Sequence, residues 1–272
     1  MTQPPSRPTR ALAAADLPYP AHFEAYQQRQ IAERLVHEPD FLILRRLPRE
    51  GLLVLDAGAN IGNTAISCEI VAPGCRIIGF EPNPSLRPFL ERARGFCGNM
   101  EWHPFGLAEA AGVRQLHIPV VGGRHIAGES SMLLSHFDDP VVSARLASYS
   151  AARSFTLESC ALEFRPLDAL AEIRAECRRA RTILFKIDVE GAELEVLRGA
   201  REVLAEHQPI LLIEQGDREE IAGHLAGLGY GRYLRSGRNR LFPAGDRRAL
   251  NSFFLTPAAH AALGLMREEA AA

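Results

Sequence analysis

The run Leu52-Leu53-Val54-Leu55 passes straight into Asp56-Ala57-Gly58-Ala59-Asn60-Ile61-Gly62, and this junction limits the fold more than any other part of the chain. Four consecutive apolar residues suit a parallel strand covered on both faces, since alternate side chains then each meet a core. Gly58 and Gly62 let the backbone turn tightly into a helix whose first amides gather at one point. A ligand can lie against such a main chain. A plain βα turn would use the same glycines for packing alone, so the segment needs support from elsewhere.

Arg76-Ile77-Ile78-Gly79-Phe80-Glu81-Pro82-Asn83-Pro84 supplies that support as a second short apolar strand, with a carboxylate twenty-three residues after Gly58. One helix and one strand fill that separation. The end of the second strand of a βαβ unit lies beside the first glycine turn, so Glu81 is placed to accept hydrogen bonds from both hydroxyls of a ribose. A dinucleotide fingerprint would need glycines two and five residues after Gly58, where this chain has Asn60 and Asn63. Their amide side chains occupy the room a pyrophosphate needs, which suits a ligand without phosphates. S-adenosylmethionine is such a ligand, with an adenosine for Glu81 and a zwitterionic tail for the glycine turn. An NAD-dependent oxidoreductase is the weaker alternative, and a P-loop is excluded because no Lys follows the glycines.

With 272 residues, 47% of them hydrophobic, the chain can bury a full core as a single α/β domain with an N-terminal extension. The formal net charge of −2 offers no electrostatic footprint for a nucleic-acid backbone. Cys68, Cys75, Cys97, Cys160 and Cys177 form no Cys-x-x-Cys pair and are odd in number, the pattern of reduced thiols in a cytoplasmic protein. No apolar signal core or membrane-length stretch is evident. The expected partner is a small molecule rather than nucleic acid or membrane, and the oligomeric state is left open.

Alternating strand and helix patterns predict a Rossmann-like α/β fold: a mostly parallel, seven-stranded sheet with helices on both faces. Residues 1–20 are expected to be a disordered tail, 21–48 a helical cover, 49–256 the core and 257–272 a C-terminal helix. Strands are predicted at 52–56, 76–81, 100–106, 114–120, 156–164, 182–188 and 209–214, with two more near 230–242 and 250–255. Residues 121–154 are read as a long irregular loop, with Gly122, Gly123 and Gly128 as hinges of a substrate cover.

Thr182-Ile183-Leu184-Phe185-Lys186-Ile187-Asp188-Val189-Glu190-Gly191-Ala192-Glu193 repeats the first architecture: buried strand, carboxylates at its carboxyl end, glycine, helix. Ligands of open α/β sheets bind at such strand ends, whereas a helix-start charge pair is the plainer explanation of Asp188 and Glu190.

These three segments, with Leu197-Arg198-Gly199-Ala200, resemble the FkbM family of class I S-adenosylmethionine-dependent methyltransferases. Arg165-Pro166-Leu167-Asp168-Ala169-Leu170, Ser130-Ser131-Met132-Leu133 and Ile210-Leu211-Leu212-Ile213-Glu214 extend the resemblance, which runs from about Leu52 to Glu214. The resemblance implies O-methylation of a hydroxyl on a sugar, polyketide or other secondary metabolite. It also implies that Asp56, Gly58, Asn60 and Gly62 hold the methionine end, Glu81 the ribose, and Asp188 the region of the reactive methyl. Asn63 and Asn83, in the same two turns, complete the expected cofactor set. Candidate proton acceptors are Glu190, His125 and His136. Magnesium held by Asp188, with Glu190 and Asp217, would replace a protein base in a metal-assisted variant. A cofactor-binding module without catalysis is the non-enzymatic alternative.

Overall fold

The computed structural model describes residues 9–262, apart from 18, 127–128, 150–153 and 238–239. In its first half the chain forms β1 (Thr9–Leu12), α1 (Glu24–Ala32), β2 (Leu52–Ala57), α2 (Asn63–Val71), β3 (Arg76–Phe80), α3 (Arg87–Cys97), β4 (Met100–His103), β5 (Gly106–Leu107), β6 (Gly112–Val121) and β7 (Arg124–His125). The second half supplies α4 (Pro140–Ser148), β8 (Thr156–Arg165), α5 (Ala171–Arg179), β9 (Thr182–Ile187), α6 (Glu193–Arg198), α7 (Arg201–His207) and β10 (Ile210–Glu214). It ends with α8 (Glu219–Gly227), β11 (Gly231–Arg235), β12 (Leu241–Pro243), β13 (Asn251–Leu255) and α9 (Pro257–Ala262).

The fold is α/β, built on an eight-stranded sheet in the order β12-β11-β13-β10-β9-β2-β3-β4. β10, β9, β2, β3 and β4 run parallel, and β13, β11 and β12 add an antiparallel edge. The expected seven strands become eight because the stretch expected as one strand over 230–242 is a hairpin, Gly231–Arg235 pairing with Leu241–Pro243. From β2 the chain steps outward to β3 and β4 on one side, while β9 and β10 lie on the other. That reversal opens a crevice at the carboxyl ends of β2 and β9, the place where open α/β sheets bind ligands.

Strand periodicity explains the two cores. Leu52, Val54, Ile77, Leu184 and Leu212 face one side, where Phe41, Ile43, Ile66 and Leu90 pack. Leu53, Leu55, Ile78, Phe185 and Ile213 face the other, against Leu167, Val196, Val203 and Leu225. Consecutive apolar residues in each central strand are thus all buried, as a sheet covered on both faces requires.

Three expectations are corrected. Residues 114–120 and 156–164 do form strands, but in a second sheet, β1-β8-β6-β7, with β5 also on β8. Thr9–Leu12 is not a disordered tail: it adds in parallel to β8, supplying partners to an edge that would otherwise be left unpaired. Four residues of mixed polarity carry too little periodicity to announce such a strand. Residues 121–154 likewise hold β7, a 3-10 turn at Leu134–Asp138 and α4. Asp139 caps α4 by accepting from Val141 N and Val142 N, with Pro140 at the first helical position, a start signal legible in the sequence. Gly128, residues 1–8 and those beyond 262 lie outside the described residues. Among the described residues no helix is long and apolar enough to cross a membrane, and all five cysteines are free and buried.

The N-terminal segment packs as a cover, through α1 and the 3-10 turn Pro39–Arg46. Gln27, fully buried, donates to Ile61 O at 2.5 Å and to Phe89 O at 2.9 Å, while its own oxygen accepts from Arg92. It therefore ties α1 to both the glycine turn and α3. Gln27→Leu, which strands two buried carbonyls, is expected to lower unfolding free energy by about 1–3 kcal/mol in urea titration. An unchanged midpoint would show that the cover is not coupled to the core.

Candidate active site

The glycine turn and the end of β3 are clamped together. Gly58 N and Ala59 N both donate to Phe80 O, at 3.0 and 3.1 Å. Glu81, buried, accepts from Asn60 N at 2.8 Å through one oxygen and from Asn83 N at 2.9 Å through the other. Gly58 has φ +82°, and a Cβ there would lie 1.9 Å from Asp188 O, so the residue must be glycine for β2 and β9 to close on each other. Gly62, also at φ +82°, would drive a Cβ to 2.6 Å from that of Ala93. Both glycines thus have packing reasons independent of any ligand. Asn60 takes up a left-handed φ of 49°, which Asn tolerates better than most residues.

Charge accumulates on the next strand. Lys186 is 1% exposed, with Nζ 3.3 Å from Asp188 Oδ2. Burial alone would lower the pKa of its ammonium, yet the carboxyls of Asp188, Glu38, Glu214 and Asp56 raise it. Burial opposes ionisation of Asp188 too, but Lys186 and a hydrogen bond from Glu214 hold its pKa below the usual carboxylate value. Glu214, at the end of β10, is pushed up to about 10 by burial and by that same bond to Asp188. Burial also lifts Asp56 to about 7, against the pull of Lys186, and Glu81 to about 7 despite its two amide bonds.

Beyond β9 the chain bends at Glu190, whose φ of 51° is uncommon for a residue with a side chain. Ser131 Oγ donates to Glu190 O at 2.5 Å and fixes this bend to the segment after β7. That segment delivers His136, with Nε2 3.7 Å from Glu190 Oε2, and Glu129, paired with Arg145 at 2.5 Å. Burial and the charge of Asp188 push Glu190 up to about 9. His125 goes elsewhere: it bonds Glu158 on the second sheet. Asp217 faces Arg248 at 4.0 Å, and Glu214 rather than Asp217 approaches Asp188 and Glu190.

These groups surround a cavity of about 270 Å³. Gly58, Asn60, Glu81, Asn83, Asp188 and Glu190 line it, whereas Asp56, Gly62 and Asn63 do not; Leu116, Met132 and Phe164 provide an apolar wall from the second sheet and the segment after it. A family model described as the methyltransferase FkbM domain matches residues 56–233. The chain belongs to the FkbM methyltransferase family. A stretch of 193 residues, 62% of the chain, is 25% identical to the AMB antimetabolite synthetase AmbE of Pseudomonas aeruginosa, and spans 8% of that protein. Among solved structures, the methyltransferase FkbM of Methylobacillus flagellatus KT aligns over 87% of this chain and 60% of its own, with 17% identity and a TM-score of 0.45. Precorrin-6y C5,15-methyltransferase of Geobacter metallireducens GS-15 aligns over 78% and 82%, with 10% identity and a TM-score of 0.37.

The residues at the glycine turn of this FkbM-family chain fit a ligand that brings hydrogen-bond donors, such as the ammonium of an amino-acid tail. Asn60 Oδ1 and Asn63 Oδ1 are buried acceptors without hydrogen-bond partners, and both Asp56 oxygens lack a bond of good geometry although the Thr64 hydroxyl lies near. Such orphaned acceptors are rare unless something not of the chain completes them. Sequence reasoning missed Glu38, Lys186, Glu129 and Glu214. Glu214 carried the same signal as Asp188, a carboxylate ending an apolar strand; Lys186 stood out only as a charge inside one.

A stability prediction follows from Asp56 and Glu81. Their folded pKa values lie above the ordinary carboxylate values, so the folded chain holds protons that the unfolded chain has released. The stabilising contribution is full on the acid side and is lost as pH rises through about 7. The melting temperature of the ligand-free protein is expected to fall from about pH 5 to about pH 8, and Asp56→Asn to flatten the slope. A slope of the same size in that variant would remove Asp56 as its source.

Proposed function

We infer that the protein transfers a methyl group from S-adenosylmethionine to a hydroxyl oxygen of a small molecule such as a sugar, polyketide or other secondary metabolite. The observation that carries this reading is the convergence of three strand ends, β2, β3 and β9, on one cavity with Glu81, the Asn60 turn and Asp188 on its wall. Membership of the FkbM family supports methyl transfer. The likeness of part of the chain to an antimetabolite synthetase is in keeping with a secondary-metabolite acceptor. Buried free thiols suit a reducing, cytoplasmic setting.

S-adenosylmethionine, when bound, supplies an electrophilic methyl group and leaves as S-adenosylhomocysteine. The chain's own contribution is to bind, orient and manage a proton. Glu81 accepts the ribose hydroxyls while its amide bonds keep the carboxylate still. Asn60 and Asn63 offer their unpartnered oxygens to the ammonium of the amino-acid tail, with Asp56 beneath them. Asp188, kept ionised by Lys186, sets a negative potential beside the reacting centre. Glu190, lifted to about 9 by burial and Asp188, stands on the acceptor side, where it orients the hydroxyl and takes its proton only in the ionised form. Holding the two substrates in one geometry can remove about 7–11 kcal/mol of the barrier, and the apolar wall of Leu116, Met132 and Phe164 helps exclude water.

Calorimetric titration tests the donor site. S-adenosylmethionine and its demethylated product should bind, and NAD poorly. Glu81→Ala is expected to weaken binding by about 1–3 kcal/mol. Because Glu81 must shed its proton to accept both hydroxyls, affinity should rise with pH through about 7, and Glu81→Gln should lose that dependence. Equal affinity in both variants and at every pH would reject the site.

Turnover tests the acceptor side. Glu190→Gln is expected to keep most donor affinity and to lower the methylation rate by about a hundredfold. Near-native turnover at saturating acceptor would return Glu190 to a structural role at the helix start.

A further inference from the structure

Glu129, His136 and Glu190 come from segments sixty residues apart in sequence and meet at the edge of the cavity, with one donor atom of each within 4.8 Å of the other two. His136 is 6% exposed, and its Nε2 has no hydrogen-bond partner. Glu190 Oε2, 3.7 Å away, has none either. Two buried polar atoms facing each other unbonded carry a free-energy cost unless something binds between them. They do not settle the matter as an ion pair. At 3.7 Å the contact is too long for a hydrogen bond. The uncommon backbone of Glu190 is held by Ser131, five residues before His136, so one segment both delivers the histidine and aims the carboxylate.

We propose that Glu129, His136 and Glu190 form a binding site for one first-row divalent transition ion of the manganese class. One imidazole and two carboxylates make a mixed nitrogen and oxygen donor set, whereas magnesium and calcium prefer all-oxygen shells and no thiolate is present to select a softer ion. Bonds of about 2.1 Å need donor atoms about 3 Å apart, so loading draws the three side chains inward by an ångström or so. Three protein donors leave coordination positions open, and Glu129 and Glu190 both line the cavity. An acceptor hydroxyl binding the ion there would have its pKa lowered and would release its proton to solvent water, leaving an ion-bound oxygen as the group methylated and Glu190 as a ligand instead of the proton acceptor. That role rests on the methyl-transfer reading; the binding of the ion does not.

A second grouping, Asp188, Glu190 and Glu214, also lies within 4.8 Å. Apart from Glu190 its members are already partnered inside the protein, whereas in the first group only Glu129, met by Arg145 at 2.5 Å, has such a partner. Lys186 sits 3.3 Å from Asp188 Oδ2, and Glu214 shares its proton with Asp188. No orphaned nitrogen points into it, so the ion is assigned to the histidine-containing group.

The test is titration of the chelator-treated, full-length protein with Mn²⁺ alone, followed by electron paramagnetic resonance. The wild type is expected to bind about one ion per chain, with hyperfine coupling to a histidine nitrogen, and to melt at a higher temperature when loaded. His136→Ala should lose the nitrogen coupling and bind at least about tenfold more weakly, and Glu190→Gln should weaken binding similarly. Glu214→Gln should keep both affinity and coupling. Circular dichroism and retained S-adenosylmethionine binding show that each variant is folded. No stoichiometric binding to wild type, binding without nitrogen coupling, or loss in Glu214→Gln with none in His136→Ala would overturn the proposal. A protein that binds Mn²⁺ with the nitrogen signature but not S-adenosylmethionine would sink the methyl-transfer reading and leave the ion site standing.

Discussion

A single buried ammonium organises the charge of this molecule. Lys186 points from the middle strand of the sheet into an otherwise apolar core, and the carboxyls of Asp188, Glu38, Glu214 and Asp56 are arranged about it. Leu184, two residues before it on β9, and Leu212, opposite it on β10, are fully buried. Taking the lysine away while leaving the carboxyls would strand negative charge in low dielectric, a change that costs about 3–5 kcal/mol for one buried pair. The ion pair with Asp188 therefore decides which carboxyl is ionised and which keep protons. Asp188 is charged because it is next to Lys186; Glu214 keeps its proton because burial and the charge of Asp188 both raise its pKa. The electrostatics of the cavity descend from this one pair.

That arrangement also joins the N-terminal cover to the site. Glu38, just before the 3-10 turn, accepts from Asn251 Nδ2 at 2.9 Å and lines the cavity beside Asp188 and Glu214. His37 bonds Ser67 on α2, and burial lowers it to about 3, so it adds no charge to the cluster. The cover thus provides a wall, a carboxyl and the polar seam of Gln27 and Gln30 against the glycine turn. It is part of the folded core rather than an appended lid.

Central strands and donor-site turns were legible because their signals are local. Leu52–Leu55 and Ile77–Phe80 are continuous apolar runs and Ile183–Ile187 is one interrupted only by Lys186, and each ends at a carboxylate within a few residues. Sequence could not reveal that Gly58 is needed by Asp188 O as much as by any ligand, since that contact joins positions 130 residues apart. The second sheet was legible as strands but not as a sheet. Nothing local in Val113–Val120 says that its partner is Thr156–Phe164, or that Thr9–Leu12 will cover the edge. His125 and His136 looked equivalent in sequence. Pairing of β6 with β7 turns the first toward Glu158, while Ser131 draws the second to Glu190.

This division gives the site two halves with different origins. The half proposed to hold the donor is built from the carboxyl ends of β2, β3 and β9, whose mutual register is set by parallel ladders on both sides of β2. Its geometry is rigid and cannot be altered without disturbing the core. The half proposed to meet the acceptor comes from the second sheet and the segment carrying Glu129, Ser131 and His136, which touches the turn after β9 through the Ser131–Glu190 bond and the ring of His136 over Gly191. A Cβ at Gly191 would meet His136 Nδ1 at 3.4 Å, ordinary contact, so the segment rests on the turn without interlocking with it. Side chains on such a surface can change between relatives while the sheet beneath stays as it is. A fixed donor pocket beneath a separately built acceptor wall is the arrangement expected if one transfer chemistry is to be offered to different acceptors.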